Sequence, residues 1–501
     1  MPLSFAAGAA GAPALCDPDR TLSYEALRGA VAAEVDWLHA QGGERCGLLA
    51  DNGCGWVVAD LALQEAGLLN VPLPPFFTDA QLAHAIADAG IDSVLTDSAM
   101  HARVDRAAFQ PVVVSPQSGL TLWKRMHAGG AKPLLPDGTV KVTYTSGSTG
   151  APRGICLGAA SLGAVAESIA TATGSLGIER HLCLLPLSTL LENVAGVYAA
   201  LRMGAACDLP PGPVTGVRFG GIDVTRLLGC IAERAPQSLI LVPELLRVLV
   251  VATERGWAVP DSLRYIAVGG AVVSGELLAR AADCGLPVHE GYGLSECASV
   301  VSLNTPAASR RGSVGRPLPH ARVRIDDTGE IHVAGAVMLG RLGDAGPRPA
   351  EIATGDLGEL DPDGYLHIRG RRRNVIITAL GRNVSPEWIE GELTQEVGIA
   401  HACVFGEARP FVVALVSPLA PSVPRAAIER AVAAANGRLP DYARVRRFAV
   451  VRGFSPADGT LTANGRLRRE VIREHYAATI ESLYQPIPAT TPTTDPEVLV
   501  P

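Results

Sequence analysis

The chain has 501 residues, 48% of them hydrophobic and 19% charged, with a mean hydropathy of +0.23. At about 150 residues per domain this is enough for roughly two to four compact units, and it is too apolar for intrinsic disorder. A formal net charge of -7 leaves no global positive field to hold nucleic acid or an anionic membrane surface, so an anionic ligand must be met by a local cluster of donors. Ten cysteines are scattered without a CxxC pair or a zinc-ligand spacing and read as buried thiols in a reducing compartment. The first basic residue is Arg20, and no apolar run reaches the roughly 18 to 20 residues of a membrane span without Gly or Pro. The expectation is a cytoplasmic protein with no integral membrane segment.

From Leu22 to Val94 helical periodicities alternate with short apolar runs. TLSYEALRGAVAAEVDWLHAQG and WVVADLALQEAGLL read as helices, RCGLLA and IDSVLTD as strands. Such alternation predicts βαβ units and an α/β fold with mostly parallel sheets sandwiched by helices. A second cycle follows, with GAVAESIATAT and NVAGVYAALRMGA as helices and HLCLLPL, SLILVP and LRYIAVGGA as strands. The Gly/Pro-rich stretch from about 335 to 351 reads as a loop. DGYLHIRGR and NVIITAL then read as strands, and from Pro386 the order helix, strand, strand, helix, strand, helix predicts a small α+β unit. The predicted division is 1–370 for a large unit, 371–485 for a small mobile one and 486–501 for a Pro/Thr-rich tail.

Between VKVTY and a helical segment stands TSGSTGAPRG. Gly147 and Gly150 let the backbone turn with converging N–H groups, the hydroxyls of Thr145, Ser146, Ser148 and Thr149 add donors, and Arg153 adds charge. Such a loop suits a polyphosphate, although it matches neither the P-loop nor the dinucleotide-fold pattern. Farther on, Gly269-Gly270-Ala271 offers bare backbone to a flat ring. Gly291-Tyr292-Gly293-Leu294-Ser295-Glu296 supplies an aromatic plate, a hydroxyl and a carboxylate able to ligate Mg²⁺. Asp356, in Thr354-Gly355-Asp356, is placed to accept sugar hydroxyls, and Arg371 follows a strand. Taken singly, each has a plainer reading as a turn, a core ring or a solvated charge.

Together and in this order, these pieces resemble the adenylate-forming superfamily, over about Leu22 to Tyr484. The resemblance implies a large ATP- and acid-binding domain and a small lid. It implies that 145–150 and Arg153 hold phosphates, that Gly269, Gly270, Ala271, Gly291 and Tyr292 border adenine, and that Ser295 lies near the α-phosphate. It further implies that Glu296 carries Mg²⁺, that Asp356 and Arg371 bind ribose, that Arg373 is the hinge, and that Gly381 lines a pantetheine channel. The stretch Leu461–Arg469 with EVIREHYAATIESLY, and LPLSTLLE from Leu185, are similar to segments of long-chain fatty acyl-CoA synthetases. The implied reaction is attack of a small carboxylic acid on ATP to give acyl-AMP and pyrophosphate, followed by thioester formation with CoA. An alternative thiol is the phosphopantetheine of an acyl carrier protein.

Three positions depart from the family pattern: Arg153 and Arg466 stand where lysines are usual, and Thr189 where histidine is usual. Only three of the 43 basic residues are lysines (Lys124, Lys132 and Lys141), so both exchanges read as drift that keeps the charge. The opposing expectation is a nucleotide-binding interaction protein impaired in catalysis. Thr189 itself reads as the N-cap of LLENVAGVYAAL, with Glu192 completing a capping box.

Overall fold

The computed structural model describes residues 9–127, 132–145, 153–218, 221–271, 273, 275–344, 346–377, 383–462 and 465–485. Two large mixed sheets organise the first unit. In the eight-stranded sheet the strands Thr139–Thr145, Leu69–Pro72, Arg45–Leu49 and Ser93–Thr96 lie parallel at the centre. Antiparallel neighbours, among them Arg153–Gly158 and Thr121–Arg125, complete both edges. In the nine-stranded sheet six strands from Val288–Leu294 to Pro13–Cys16 are parallel, again with antiparallel edges. The predicted parallel order therefore holds for the sheet centres alone. The βαβ crossovers put helices over both faces there, which is why the central strands read as unbroken apolar runs.

Helix Tyr24–Gln41 starts where Ser23 accepts the Ala26 N–H at 3.1 Å. It packs Leu27, Val31 and Leu38 into one continuous core with Trp56 and Val57 of helix Cys54–Glu65. That helix is shorter than its apolar run: Gly67, at φ +71°, turns the chain into the strand Leu69–Pro72, whose first residue the sequence reading placed in the helix and whose remainder it left unassigned. A four-stranded antiparallel sheet follows, built from Ala321–Ile325, Glu330–Gly335, Glu351–Leu360 and Leu366–Arg371.

The predicted capping box is absent. The Thr189 hydroxyl donates to the Pro186 carbonyl at 2.7 Å, and the Glu192 carboxylate turns inward to buried His181 instead of back to the helix start. The segment Leu191–Tyr198 forms a π-helix that runs into the α-helix Ala199–Met203.

The C-terminal unit is a three-stranded sheet of Ile399–Phe405, Val412–Pro418 and Val445–Val450. One face is covered by Ile389 and Ile428 of helices Pro386–Thr394 and Arg425–Arg438, the other by Ile472 and Ile480. The last predicted helix is two helices, Arg469–His475 and Ala477–Ser482, separated at Tyr476. All ten cysteines are free thiols. Among the described residues no helix is long and apolar enough to cross a membrane.

Candidate active site

A cavity of about 1550 Å³ opens between the sheets and the C-terminal unit. One wall is backbone. Strand Tyr265–Val268 runs into Gly269 and Gly270, the latter at φ +84°. In the adjacent strand Val288–Leu294, a Cβ at position 293 would sit 1.8 Å from the Ser299 carbonyl oxygen, so only glycine lets the antiparallel partner Ser299–Leu303 approach. Tyr292, between the glycines at 291 and 293, lines the cavity with Ser295 and Glu296. The Glu296 carboxylate has no ion-pair partner among the described residues.

The strands Glu351–Leu360 and Leu366–Arg371 place Asp356 directly opposite Arg371. Asp356 accepts from the Tyr292 hydroxyl at 2.7 Å through one oxygen and meets Arg371 Nε at 2.9 Å through the other. Burial, and then the Asp356 charge, push the Tyr292 phenol well above its ordinary range, so it acts as a fixed donor. The carboxylate is 7% exposed while Arg371 is 52% exposed and faces the cavity, so the pair holds an orientation more than it adds stability.

Arg466 reaches the same place from the C-terminal unit, where its Nε donates to the Gly270 carbonyl. Its surface is open to the cavity, yet protein crowds it. Desolvation and the neighbouring Arg371 pull its pKa down, against Asp356, Tyr292 and Glu296. A guanidinium keeps its proton through such a shift. Three residues on, Arg469 forks onto Glu390 at 2.6 and 2.9 Å and donates to the Val404 carbonyl at 2.7 Å. Burial raises the Glu390 carboxyl and the Arg469 charge opposes it. This buried fork ties the segment that carries Arg466 to the small sheet. A second bridge between the units runs from Arg247 to the Thr394 carbonyl at 3.0 Å.

Arg153, Gly269, Gly270, Gly291, Tyr292, Ser295, Glu296, Arg371 and Arg466 thus line one cavity, with Asp356 immediately behind Tyr292 and Arg371. Ala271 follows Gly270 and is half-buried. Thr145 ends its strand opposite Arg153, which lines the cavity. Ser146, Gly147, Ser148, Thr149, Gly150 and Gly381 lie outside the described residues. Arg373 falls in the short turn Arg372–Asn374 that follows the last strand of the large unit.

Arg341 and Arg372 are among the cavity cations that the sequence reading did not assign to the site, as are Arg468 and Arg469. Arg372, paired with Glu330 at 2.6 Å, was signalled by the run of three arginines at 371–373. Arg341 sits in the stretch read as loop, on a two-residue strand Gly340–Arg341 that pairs with Arg153–Gly158, and nothing local marks it. Away from these charges the cavity continues past Thr189 to Ala195, Gly196, Ala200 and Met203, ending at His181 and Ser238. Sequence reasoning singled out none of those last six.

The family model described as AMP-binding enzyme matches residues 4–346, and that described as AMP-binding enzyme C-terminal domain matches residues 373–487. FadD15 of Mycobacterium tuberculosis, a long-chain-fatty-acid–CoA ligase, is 26% identical over 89% of this chain and 89% of its own. A feruloyl-CoA synthase of an Amycolatopsis species is 29% identical over 78% of this chain and 81% of its own. Among solved structures, the anthranilate CoA ligase AuaEII in complex with anthranoyl-AMP superposes with a TM-score of 0.77 at 19% identity. It covers 94% of this chain and 95% of that one.

Proposed function

The chain belongs to the AMP-binding enzyme family, and from that premise we propose that it activates a small carboxylic acid with ATP and passes the acyl group to the thiol of CoA. In the first half-reaction a carboxylate oxygen bonds to the α-phosphorus and the bond to pyrophosphate breaks. In the second the thiol sulfur bonds to the acyl carbon, its proton leaves, and AMP departs.

The observation that carries this reading is Arg466 on the Gly270 carbonyl, in one cavity with Tyr292, Glu296 and the Asp356–Arg371 pair. A carboxylate and a triphosphate repel one another, so the catalyst must chiefly hold them in line and neutralise charge. Adenine lies against Gly269, Gly270, Ala271 and Gly291, with Tyr292 beneath it. Asp356 keeps free lone pairs on both oxygens for ribose hydroxyls, and Arg371 stands beside it. Arg153, Ser295 and Arg466 face the phosphates, and the sequence resemblance gives the segment 145–150 the same ligand. Arginine serves where lysine is usual because these sites require a permanent charge, and its fork meets two phosphate oxygens. The unpaired Glu296 carboxylate is a hard oxygen donor at the cavity wall and fits Mg²⁺, which when bound supplies charge neutralisation on phosphate oxygens.

We assign residues 1–370 to the unit that holds ATP and acid and 371–485 to the lid. Rotation about Arg373 withdraws Arg466 for the thiol step, in which the sequence resemblance gives Gly381 the pantetheine channel. The test is acid-dependent exchange of pyrophosphate into ATP across fatty and aromatic acids, with thioester formation followed on CoA and on a phosphopantetheinylated carrier protein in parallel. Exchange that stops on chelation of Mg²⁺ and a product on CoA are expected. Silence with every acid would overturn the proposal.

A further inference from the structure

The acid end of the cavity closes on a polar group that the reaction does not use. His181 and Ser238 are neighbours in the parallel ladder between Arg180–Leu182 and Ser238–Leu241, so their side chains lie on the same face of the sheet. His181 Nδ1 is 2.9 Å from Ser238 Oγ, and His181 Nε2 is 2.9 Å from Glu192 Oε1. Glu192 in turn accepts the Leu185 N–H at 2.9 Å through its other oxygen. All three side chains are almost fully buried, and His181 and Ser238 line the cavity. The π-helix has glycine where this group needs room: a Cβ at Gly196 would lie 2.3 Å from Glu192 Oε1 and 2.8 Å from His181 Nε2.

The hydrogen bonds fix the partners but not which ring nitrogen carries a hydrogen. Where Nδ1 accepts, Ser238 donates its hydroxyl proton to His181 and its oxygen lone pairs face the cavity; where Nδ1 donates, Ser238 accepts and its own hydroxyl proton faces the cavity. Two other hydroxyls of the cavity wall are spent on backbone carbonyls, Thr173 on Ile169 at 2.8 Å and Tyr265 on Asn304 at 3.3 Å, whereas Ser188, beside Thr189, has no hydrogen-bond partner among the described residues. A methyl terminus packed on Ser238 would strip water from its hydroxyl and return nothing. A second carboxylate would meet the Glu192 charge one layer behind. A hydroxyl both donates and accepts, so it suits Ser238 in either arrangement.

We infer that the acid this chain activates carries a hydroxyl, aliphatic or phenolic, at the end remote from its carboxylate, received by Ser238 and held in place by His181 and Glu192. The inference rests on the proposed acid activation and names its substrate class. It is tested by pyrophosphate exchange with acids matched in length: octanoate against its terminal hydroxy analogue, and p-methylcinnamate against p-hydroxycinnamate. The hydroxy acid of a pair is expected to show a kcat/KM about tenfold higher, and Ser238→Ala is expected to bring that ratio near one. Methyl acids that match or exceed their hydroxy partners in the unaltered protein overturn the inference, as does a ratio that Ser238→Ala leaves intact. In both cases exchange is still observed, so acid activation stands and only the substrate class falls. Absence of exchange with all four acids, and with the wider set above, removes both.

Discussion

Around Arg371 and Arg466 the cavity is walled by glycine backbone and charge, and its key cations are open to solvent. Around Met203 and His181 it is walled by Ala195, Gly196, Ala200 and a buried polar triad that turns the Ser238 hydroxyl to the cavity. On the proposed reaction the first region works through electrostatics, which depends on where a charge sits, and the second through shape and the Ser238 hydroxyl, where one methylene changes discrimination by about 1–3 kcal/mol. Changes at the charged end should therefore alter the rate with every acid alike, whereas changes at the dry end should alter which acid is used.

The largest effect is expected from Arg466→Ala. It removes a positioned cation from the phosphate region and should lower pyrophosphate exchange by about 100- to 1000-fold, equally for every acid. Thioester formation from supplied acyl-AMP should survive, because the rotated lid no longer places residue 466 at the phosphates. Arg466→Lys should recover part of the exchange, since charge returns without the fork. Equal loss of both half-reactions in Arg466→Ala would mean that this residue holds the fold rather than the phosphates.

Gly196→Ala probes the other end. The added methyl must displace Glu192 or His181, since it would stand 2.3 and 2.8 Å from their polar atoms. The expected result is an acid KM raised by about 10- to 100-fold with a changed order of preference among acids, the KM for ATP staying as it was. An equal loss with every acid would break the division between the two ends.

The same contrast explains what the sequence disclosed. At the charged end backbone segments approach too closely for any side chain, as at Gly293, so the glycines and the residues between them stay contiguous and can be read as motifs. Asp356 and Arg371 were legible for a similar reason, being register partners in neighbouring strands. The dry end draws His181, Glu192, Gly196 and Ser238 from a strand, a π-helix and a second strand, and no local spacing joins them. Thr189 and Glu192 did have the spacing of a capping box, but the carboxylate turns to the buried His181 imidazole and the Leu185 N–H instead. The antiparallel sheet was half read: DGYLHIRGR stood out, while ARVRI and EIHVAG were passed over, the latter burying its residues without a regular alternation. Leu69–Pro72 was lost because an apolar run continues across Gly67, whose positive φ ends the helix.

Thr189 lies where the two ends meet, and it offers the smallest and most discriminating test. Its N–H and its hydroxyl both go to the Pro186 carbonyl, at 3.0 and 2.7 Å. The hydroxyl is thus committed to its own turn, and only the methyl side is left to face the cavity. Thr189→Val keeps the branched shape and leaves the N–H bond in place, so the loss of stability should be about 1 kcal/mol, measurable in denaturant titration. The kcat/KM for each acid should change by less than about threefold, within one such hydrogen bond, and the preference for terminal hydroxyls should persist. A tenfold reordering of acids by this substitution would show that the hydroxyl leaves Pro186 for the substrate, and the shape-selective region would then begin at Thr189 instead of beyond it.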